Sequence, residues 1–491
     1  MNQPIMLTAN DLKEIDPKGY FFNPVLPTDF VIHRFVDRTH RLYKGYKGNT
    51  ALVTTYHFSL ETIKNTHEWC QLIVSKNAVE EYVSSIPQFI VEDLELFMFR
   101  LAEWVRARYQ RPVIGVTGSA GKSTTTKMLW HVLRGQKMLP MVNIGNHNDR
   151  HSVPYYLVNT IRNPEYTILE LSGDTLLKEK RFGNLAELAK PDIGIVTSIG
   201  GAHLSKYKNS MNVAEIKSGL VEGMKPGGVL ILNEDIAEPE KTIFKEKASA
   251  KDIQVLTYSM NEKDTNAWLI SREWNGSEAI VHASMNNKTY TYQVPGGSDG
   301  TVQNSLAVLL ALDYLKTPLT EDCLKRFASS RSLPRVLTHK QFLLCDGAKT
   351  TIIDDTHNSS VPSMMNAINY FKLLATSERY KGNKLLVLSK VADLGEESQK
   401  LHEQFIEPIA QAQADYIFLY GDLMKPLMKE LRKRKLLVYH FQDLEEMIEE
   451  ITELLNDDSL VIIKGSRSES DFETISKKLP DKLKMLGGKE C

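Results

Sequence analysis

The sequence has few cysteines, no long apolar run and almost no net charge. Its four cysteines form no pair with metal-ligand spacing and predict reduced thiols: Cys70, Cys323, Cys345 and Cys491. No apolar run approaches the roughly 18 residues of a membrane span. A net charge of −1, without a long block of one sign, gives no reason to expect nucleic acid or a membrane as partner. Because no basic segment followed by an apolar core opens the chain, we expect no signal peptide and a cytoplasmic protein.

The length of 491 residues predicts about three domains at roughly 150 residues each. We place them at 1–110, 111–333 and 334–491, and call them the first, central and third regions. The overall class is α/β: a small, atypical α+β first region, a central P-loop-type sheet that is mostly parallel with an antiparallel portion, and a Rossmann-like third region.

The first region contains few clear elements. Short strands are predicted at Asn49–Tyr56 and Cys70–Val74, and apolar residues at helical spacing predict a helix over Val91–Tyr109. Basic and aromatic residues alternate in Arg38–Lys47. A solvated loop or strand is the simpler interpretation of that cluster, and a site for an anionic substrate is the alternative.

The central region alternates strand and helix. Apolar, β-rich runs at Tyr166–Leu171, Ile193–Ser198 and Val229–Asn233 predict a parallel sheet covered on both faces. Between Trp268 and Val294 the hydrophobic period becomes two, with turn signals at Asn275–Gly276 and Asn286–Asn287, which predicts an antiparallel portion. Helix returns from Asn304 to Leu315.

The third region has five apolar runs separated by helical patterns, which predicts a second, doubly wound sheet. The runs are Thr351–Asp355, Lys384–Ser389, Tyr416–Tyr420, Leu436–His440 and Leu460–Lys464. Because ligands bind at the carboxyl ends of strands in such sheets, the residues that close each strand are the candidates for chemistry.

Residues 113–126 read Val-Ile-Gly-Val-Thr-Gly-Ser-Ala-Gly-Lys-Ser-Thr-Thr-Thr. An apolar strand, a glycine turn and a helix start predict a phosphate cradle, with Lys122 adding a charge and Ser123 a ligand for Mg²⁺. A standard P-loop has glycine where Val116 stands. The shorter Thr-Gly-x-x-Gly-Lys-Ser form, with Gly115 and Gly118, points away from GTPases, kinases and ATPase motors and towards one family of ATP-dependent ligases. An ordinary strand-to-helix connection is the alternative.

Three further residues lie at or after strand ends of the central region. Glu170 closes one strand and is suited to hold Mg²⁺, although a capping or surface carboxylate is the alternative. His203 follows the strand at Ile193–Ser198, where a solvated or core histidine remains open. Lys217, taken alone, reads as a solvated helix lysine.

The order and spacing of these motifs resemble the Mur ligases, the ATP-dependent amide-bond ligases of peptidoglycan and cell-wall synthesis. The resemblance runs from about Val91 to Arg467 and is closest to the branch that adds D-alanyl-D-alanine to UDP-N-acetylmuramoyl-tripeptide. It rests on Thr-Gly-Ser-Ala-Gly-Lys-Ser-Thr-Thr-Thr-Lys (117–127), Gly-Asn-His-Asn (145–148), Val-Pro (153–154), Leu-Glu-Leu (169–171), Lys-Pro-Asp (190–192), Ala-His-Leu (202–204), Leu-Asn-Glu-Asp (232–235), Leu-Pro-Arg (333–335), Asp-Asp-Thr-His-Asn (354–358), Pro-Ser-Met (362–364), Asp-Leu-Gly-Glu (393–396) and Lys-Gly-Ser-Arg (464–467).

The resemblance implies ATP and Mg²⁺ as cofactors, and a role for each matching residue. Lys122, Glu170, His203 and Lys217 would be catalytic. Ser123 and Glu170 would hold one Mg²⁺, and His203 would ligate a second Mg²⁺, which a carbamylated Lys217 would support. Asn304 would lie near adenine, and Arg335 and Asp355 would reach the nucleotide from the third region. The remaining nucleotide contacts would come from Thr117, Gly118, Ser119, Ala120, Gly121, Lys122, Ser123 and Thr124. Substrate contacts would come from Asn146, Asn148, His357, Asn358, Lys464 and Arg467, with a surface loop as the alternative for 464–467.

The sequence departs from this branch of the family in two places. The first region has no Asp-Gly-His segment, and His357 stands where the dipeptide-adding enzymes usually have Tyr. The donor is therefore UDP-muramoyl-peptide or another carboxylate, and the acceptor an amino acid or dipeptide. A Mur-like ligase of another pathway and an inactive nucleotide-binding regulator are the alternatives. We expect small-molecule partners only, a monomer, and a hinge near Lys316–Pro334 that lets the third region close over the site.

Overall fold

The computed structural model describes residues 3–22, 26, 30–36, 49–54, 70–78, 86–136, 138–143, 147–201, 204–275, 278–330, 333–466 and 470–490. The chain divides into two compact units. One unit comprises Met1–Gly115, Lys137–Gly194 and Gly219–Gly228, and the other comprises Val116–Gln136, Ile195–Ser218 and Val229–Cys491. The boundaries of the three predicted regions stay predictions.

Helices occur throughout the described chain. They are α1 (Ala9–Ile15), α2 (Leu94–Arg108), α3 (Lys122–Gly135), α4 (Ser152–Val158), α5 (Leu185–Ala189), α6 (Leu204–Tyr207), α7 (Ser210–Lys217), α8 (Gly219–Gly223), α9 (Glu240–Ser249), α10 (Asp299–Tyr314), α11 (Glu321–Ala328), α12 (Val361–Ala375), α13 (Ser398–Glu403), α14 (Ile406–Ala410), α15 (Lys425–Lys433), α16 (Leu444–Glu453) and α17 (Ile475–Met485). The predicted helices over Val91–Tyr109 and from Asn304 are confirmed as α2 and α10.

The first sheet has the strand order β1-β5-β4-β3-β2. Its strands are β1 (Tyr20–Phe22), β2 (Arg34–Val36), β3 (Thr50–Val53), β4 (Cys70–Ser75) and β5 (Gln88–Ile90). β2, β3, β4 and β5 pair in parallel, and β1 is antiparallel to β5. The two strands predicted in this region are confirmed as β3 and β4, whereas the Arg38–Lys47 cluster lies outside the described residues.

The second sheet has the order β14-β13-β12-β11-β10-β9-β6-β8-β7. Its strands are β6 (Val113–Thr117), β7 (Pro140–Val142), β8 (Tyr166–Glu170), β9 (Ile193–Val196), β10 (Val229–Asn233), β11 (Gln254–Ser259), β12 (Ala267–Trp274), β13 (Glu278–Met285) and β14 (Lys288–Pro295). The pairs β12–β13 and β13–β14 are antiparallel, as predicted. Asn286 and Asn287 both have positive φ, which suits the two-residue turn between β13 and β14.

The third sheet has the order β19-β18-β17-β20-β16-β15-β21. Its strands are β15 (Thr338–Leu343), β16 (Lys349–Asp355), β17 (Lys384–Ser389), β18 (Tyr416–Tyr420), β19 (Val438–Phe441), β20 (Ser459–Lys464) and β21 (Lys489–Glu490). The five strands from β19 to β16 pair in parallel, which confirms the predicted doubly wound sheet. β15 is antiparallel to β16 and carries β21 at its edge.

Helices α10 and α12 each begin after a serine that caps the helix. Ser298 caps α10 by accepting from the backbone of Thr301, and Ser360 and Ser363 form a capping box at the start of α12. Pro362 occupies the first turn of α12, where its missing N–H costs nothing. Among the described residues, no helix is both long and apolar enough to cross a membrane.

Candidate functional site

The predicted phosphate loop connects β6 to α3 through two glycines at positive φ. The φ angle is +153° at Gly118 and +84° at Gly121. A Cβ on Gly118 would lie 2.0 Å from Thr197 Oγ1, and one on Gly121 would lie 2.6 Å from Asn304 Oδ1. Because neither position has room for a side chain, the loop packs as bare backbone, which is the form that a phosphate cradle needs.

Helix α3 begins directly after this loop. Its N-cap, Gly121, supplies no side-chain hydrogen bond, so the helix terminus keeps the positive potential of its first N–H groups. Lys122 Nζ donates to the Gly118 carbonyl at 2.8 Å, which places the ammonium group at the loop. The hydroxyls of Ser123 and Thr124 belong to the same first turn. The helix terminus, a cation and a potential metal ligand are therefore within a few residues of each other.

The segment after β9 holds the phosphate loop in shape. Ser119 N donates to the Ser198 carbonyl at 2.8 Å, and Ala120 N donates to Ser198 Oγ at 2.9 Å. Ser119 Oγ donates to the Gly200 carbonyl at 3.0 Å. Ser198 and Gly200 had no predicted role, although their position just after a buried strand was a usable signal.

Asn304 lies on α10 and is almost fully buried. The preceding residue, Gln303, donates its Nε2 to Asp235 Oδ2 at 2.9 Å. Asp235 also accepts from Ser259 Oγ at 2.6 Å and from Met260 N at 2.8 Å. The helix that carries Asn304 is thereby fixed to the ends of β10 and β11. Asp235 is a positioning residue to which sequence reasoning gave no role.

Glu170 is buried at the end of β8 and is held by two asparagines. Asn148 Nδ2 donates to Glu170 Oε1 at 2.6 Å. Asn143 Oδ1 accepts from Glu170 N at 2.7 Å, and Asn143 Nδ2 donates to the Glu170 carbonyl at 2.9 Å. This frame fixes the orientation of the carboxylate. It excludes the exposed surface carboxylate that was one alternative for Glu170, and it gives Asn148 a contact with a predicted metal ligand.

A buried ion pair joins the ends of two neighbouring strands of the third sheet. Asp355 and Lys464 are register partners at the ends of β16 and β20, and Lys464 Nζ lies 3.0 Å from Asp355 Oδ2. Lys464 also donates to the Asn358 carbonyl at 2.6 Å, and Asp355 Oδ1 accepts from Leu337 N at 3.2 Å. Burial raises the pKa of the Asp355 carboxyl, and the Lys464 ammonium opposes that shift.

This ion pair changes the interpretation of Lys464. Its side chain is 2% exposed, so the surface-loop alternative is wrong for this residue. The same bonds engage its ammonium inside the protein, where it fixes Asp355 and the turn at Asn358. We therefore describe Lys464 as a positioning residue for its neighbours, and its predicted contact with substrate stays a prediction.

Arg335 and His357 meet beside this pair. Arg335 has a φ of +62°, and its carbonyl accepts from His357 N at 2.9 Å. Its guanidinium makes a half-exposed ion pair with Glu473, with Nη1 and Oε2 3.2 Å apart. A non-glycine residue at positive φ costs energy, and such positions are enriched at binding sites and switch regions.

Some predicted site residues lie outside the part of the chain that the structure describes, and others are described but have no ligand contact to test. Asn146, His203 and Arg467 are outside the described residues. Lys217 ends α7 and is 5% exposed, so the solvated helix lysine that the sequence alone suggested is wrong. Within the described part of the chain, no three His, Cys, Asp or Glu side chains form a metal-binding group. Cys70, Cys323 and Cys345 are free thiols, as expected.

Comparison with known families agrees with this geometry. The family model for the Mur ligase middle domain matches residues 116–312, which include the phosphate loop and Asn304. The model for the Mur ligase glutamate ligase domain matches residues 342–467, which include Asp355 and Lys464. The chain belongs to the Mur ligase family. As a Mur ligase it is an ATP-dependent, ADP-forming amide ligase, which confirms the enzyme class predicted from the sequence.

Two curated relatives of this Mur ligase carry the same name. A protein of Buchnera aphidicola subsp. Acyrthosiphon pisum, 26% identical over 404 residues, is named UDP-N-acetylmuramoyl-tripeptide--D-alanyl-D-alanine ligase; the match covers 81% of this chain and 83% of that protein. A Bacillus subtilis protein of the same name is 27% identical over 382 residues, covering 77% and 78%.

Solved structures share the fold of this Mur ligase. MurF from Acinetobacter baumannii superposes with a TM-score of 0.76 at 20% identity, covering 97% of this chain and 99% of that one. MurF from Thermotoga maritima, solved in complex with ADP, gives 0.71 at 20% identity, covering 94% and 100%. The predicted three-domain α/β class is confirmed by these structures.

Proposed function

We propose that this Mur ligase uses ATP to join the carboxylate of UDP-N-acetylmuramoyl-tripeptide to the amine of D-alanyl-D-alanine, releasing ADP and phosphate. The observation that carries the proposal is the phosphate loop: two glycines without room for a Cβ, an uncapped helix terminus and Lys122 at one turn. The names of the curated relatives support the choice of donor and acceptor.

A carboxylate is a poor acyl donor because its oxygen leaves poorly. Transfer of the γ-phosphoryl group of ATP to that oxygen gives an acyl phosphate and ADP. The acceptor amine then attacks the carbonyl carbon, and phosphate leaves from a tetrahedral intermediate. The loop N–H groups and Lys122 bind the phosphoryl oxygens and offset the negative charge that develops on them.

Magnesium is the proposed metal, because it offsets phosphoryl charge and is suited to the oxygen atoms of Ser123, Glu170 and a carbamylated Lys217. One Mg²⁺ would be held by Ser123 and by the Glu170 carboxylate that Asn148 orients. A second Mg²⁺ would be held by His203 and supported by a carbamylated Lys217. When bound, Mg²⁺ neutralises phosphoryl charge. Carbamylation would turn the Lys217 cation into an anion, and the burial of this residue supports a role other than that of a surface lysine.

The third region contributes the remaining proposed contacts. Arg335 and Asp355 reach the nucleotide opposite Asn304, while His357 and Asn358 face the substrate. Lys464 keeps Asp355 and the Asn358 carbonyl in place by the bonds described above. Closure of this region would exclude water from the acyl phosphate, which water would otherwise hydrolyse.

The test is ADP release in the presence of Mg²⁺, with a panel of donors and acceptors. UDP-N-acetylmuramoyl-tripeptide or simpler carboxylates are paired with D-alanyl-D-alanine or single amino acids. The proposal requires turnover with the UDP-linked tripeptide and the dipeptide. Turnover only with other pairs would instead assign the chain to another amide bond, an outcome that His357 and the atypical first region make worth testing.

The chain is also proposed to act in the cytoplasm, because ATP and a UDP-linked donor are available there, and to act as a monomer. Light scattering of the purified chain tests the oligomeric state, and fractionation of the source cells tests the location.

A further inference from the structure

One face of helix α12 lies against glycines of the central region. Pro362, Asn366 and Tyr370 are spaced four residues apart, so they lie along the same side of the helix. Each of them meets a glycine whose position leaves little or no room for a side chain. We call these three residues the docking face of α12.

Asn366 contacts the start of α10, the helix that carries Asn304. Its Oδ1 accepts from Gly300 N at 2.7 Å, and its Nδ2 donates to Ser298 Oγ at 3.4 Å. Gly300 N belongs to the first turn of α10, where no carbonyl within the helix is available to it. Asn366 therefore caps α10 from another region of the chain. A Cβ on Gly300 would lie only 3.0 Å from Asn366 Oδ1, so this contact favours glycine.

Tyr370 contacts the turn that precedes α10. Its hydroxyl donates to the Gly296 carbonyl at 3.0 Å and lies 3.0 Å from His339 Nε2 on β15. Burial lowers the pKa of His339 to about 4, so the imidazole is neutral at pH 7. Because the tyrosine hydroxyl donates its hydrogen bond to the Gly296 carbonyl, His339 Nε2 must be the donor to the hydroxyl oxygen. The tyrosine is thereby held from both sides.

Pro362 contacts the turn that supports the phosphate loop. A Cβ on Gly200 would lie 2.6 Å from Pro362 Cγ, and Val361 N donates to the Gly201 carbonyl at 3.0 Å. The Gly200 carbonyl in turn accepts from Ser119 Oγ. One helix face thus touches the support of the phosphate loop at one end and the start of α10 at the other.

We propose that the docking face of α12 couples the seating of the third region to the shape of the nucleotide site, with Asn366 as its central positioning residue. Docking completes the cap of α10 and so fixes the helix of Asn304, while Pro362 and Val361 fix the turn that holds Ser119. The catalytic consequence rests on the proposed ligase function, whereas the docking contact does not.

Hydrogen exchange of the Gly300 amide tests the contact directly. The full chain, saturated with ADP, is followed by mass spectrometry of peptides that cover residues 296–303. An N–H in the first turn of a helix normally exchanges fast, and protection here requires Asn366. We expect Asn366→Leu to speed exchange at Gly300 about tenfold and Asn366→Asp, which keeps the acceptor oxygen, to retain the protection. Asn369→Leu, an exposed position on the same helix, is the matched control and should change nothing.

Activity is measured on the same proteins. We expect Asn366→Leu to lower kcat for ADP release about tenfold with a smaller change in KM for ATP, and Asn366→Asp to keep most of kcat. Should Asn366→Leu not fold, Gly300→Ala is the alternative, because its Cβ would push the Asn366 amide away from position 300 and weaken the same bond. Unchanged Gly300 exchange in a folded Asn366→Leu protein overturns the docking proposal, even if the ligase is active. Faster exchange supports docking even if no substrate pair is turned over, an outcome that would count against the proposed function alone.

Discussion

The phosphate loop and the buried Asp355–Lys464 pair of the third region use charge differently. The loop uses bare backbone: Gly118 and Gly121 have no room for a side chain, and Lys122 is the cation that reaches back to it. The pair uses side chains: Asp355 and Lys464 are both nearly inaccessible and neutralise each other across adjacent strands. The phosphate loop leaves positive potential that a ligand can use. In the buried pair, each charge is neutralised by the other within the protein.

This contrast explains why Lys122, at the start of α3, and Lys464, at the end of β20, have different roles. Lys122 follows a loop whose helix terminus is already positive, so its charge adds to an anion site. Lys464 is surrounded by the acceptors Asp355 and Asn358, so its charge holds a carboxylate and a turn in place. Replacing each lysine should therefore affect different properties of the enzyme.

The largest expected effect is on activity, at Lys122. Lys122→Ala should lower ATP turnover about a thousandfold, because the developing phosphoryl charge loses its nearest cation. The thermal midpoint should move little, since the bond of the side chain to the Gly118 carbonyl is only part-buried. Steady-state ADP release and thermal unfolding check both statements. Arg134→Ala, which removes an exposed charge from the same helix, is the control and should leave turnover intact.

Replacing Lys464 should have the reverse effect of Lys122→Ala: its main consequence should be a loss of stability. Lys464→Met leaves the Asp355 carboxylate buried without its cation, which costs about 3 kcal/mol at pH 7.5. Because burial already holds the pKa of Asp355 above its unfolded value, losing the lysine raises that pKa further. A carboxyl with a raised folded-state pKa destabilises the fold above its unfolded pKa, and this destabilisation disappears as falling pH protonates it. The loss should thus be larger at pH 8 than at pH 5.5, as urea midpoints would show.

The double variant Asp355→Leu with Lys464→Met provides the control for that measurement. It removes both charges, so most of the lost stability should return and the difference between pH 8 and pH 5.5 should vanish. A loss of stability in Lys464→Met that is the same at both pH values would contradict the assignment to Asp355.

A smaller effect is expected at Asn148, which acts through Glu170. Asn148→Ala removes the 2.6 Å bond to Glu170 Oε1 and with it one constraint on the orientation of the carboxylate. We expect about a tenfold rise in the Mg²⁺ concentration that gives half-maximal ADP release, as is typical when the partner of a metal ligand is lost. Asn148→Asp should be worse, because it places a second negative charge beside Glu170. An unchanged Mg²⁺ titration in both variants would remove Glu170 from the proposed ligands.

The same contrast shows what the sequence was able to predict. The phosphate loop is contiguous, and its glycine spacing and flanking elements are visible in 14 consecutive letters of the sequence. Lys464 and Asn358 are 106 residues apart, and Asn366 and Gly300 are 66 apart. Strand patterns predicted that Asp355 and Lys464 would each close a strand. They did not give the strand order that makes these two residues neighbours, and so the buried ion pair was not foreseen.

The smallest expected effect is on the exposed ion pair of Arg335 and Glu473 in the third region. Arg335 and Glu473 form an ion pair whose side chains are 31% and 37% exposed, so solvent screens their attraction. Glu473→Ala should therefore cost less than about 1 kcal/mol of stability, in contrast to the buried pair at Lys464. It should also leave KM for ATP unchanged, because His357 N holds the backbone of Arg335 in place independently of Glu473.

Arg335→Ala is the counterpart that decides what this arginine does. If Arg335 reaches the nucleotide, its removal should raise KM for ATP about tenfold while stability changes as little as in Glu473→Ala. Equal KM values in the two variants would make Arg335 part of a surface pair only. Neither residue of the exposed pair would then contact the nucleotide. Binding of ATP by the third region would depend on the Asp355 carboxylate, which Lys464 keeps in place.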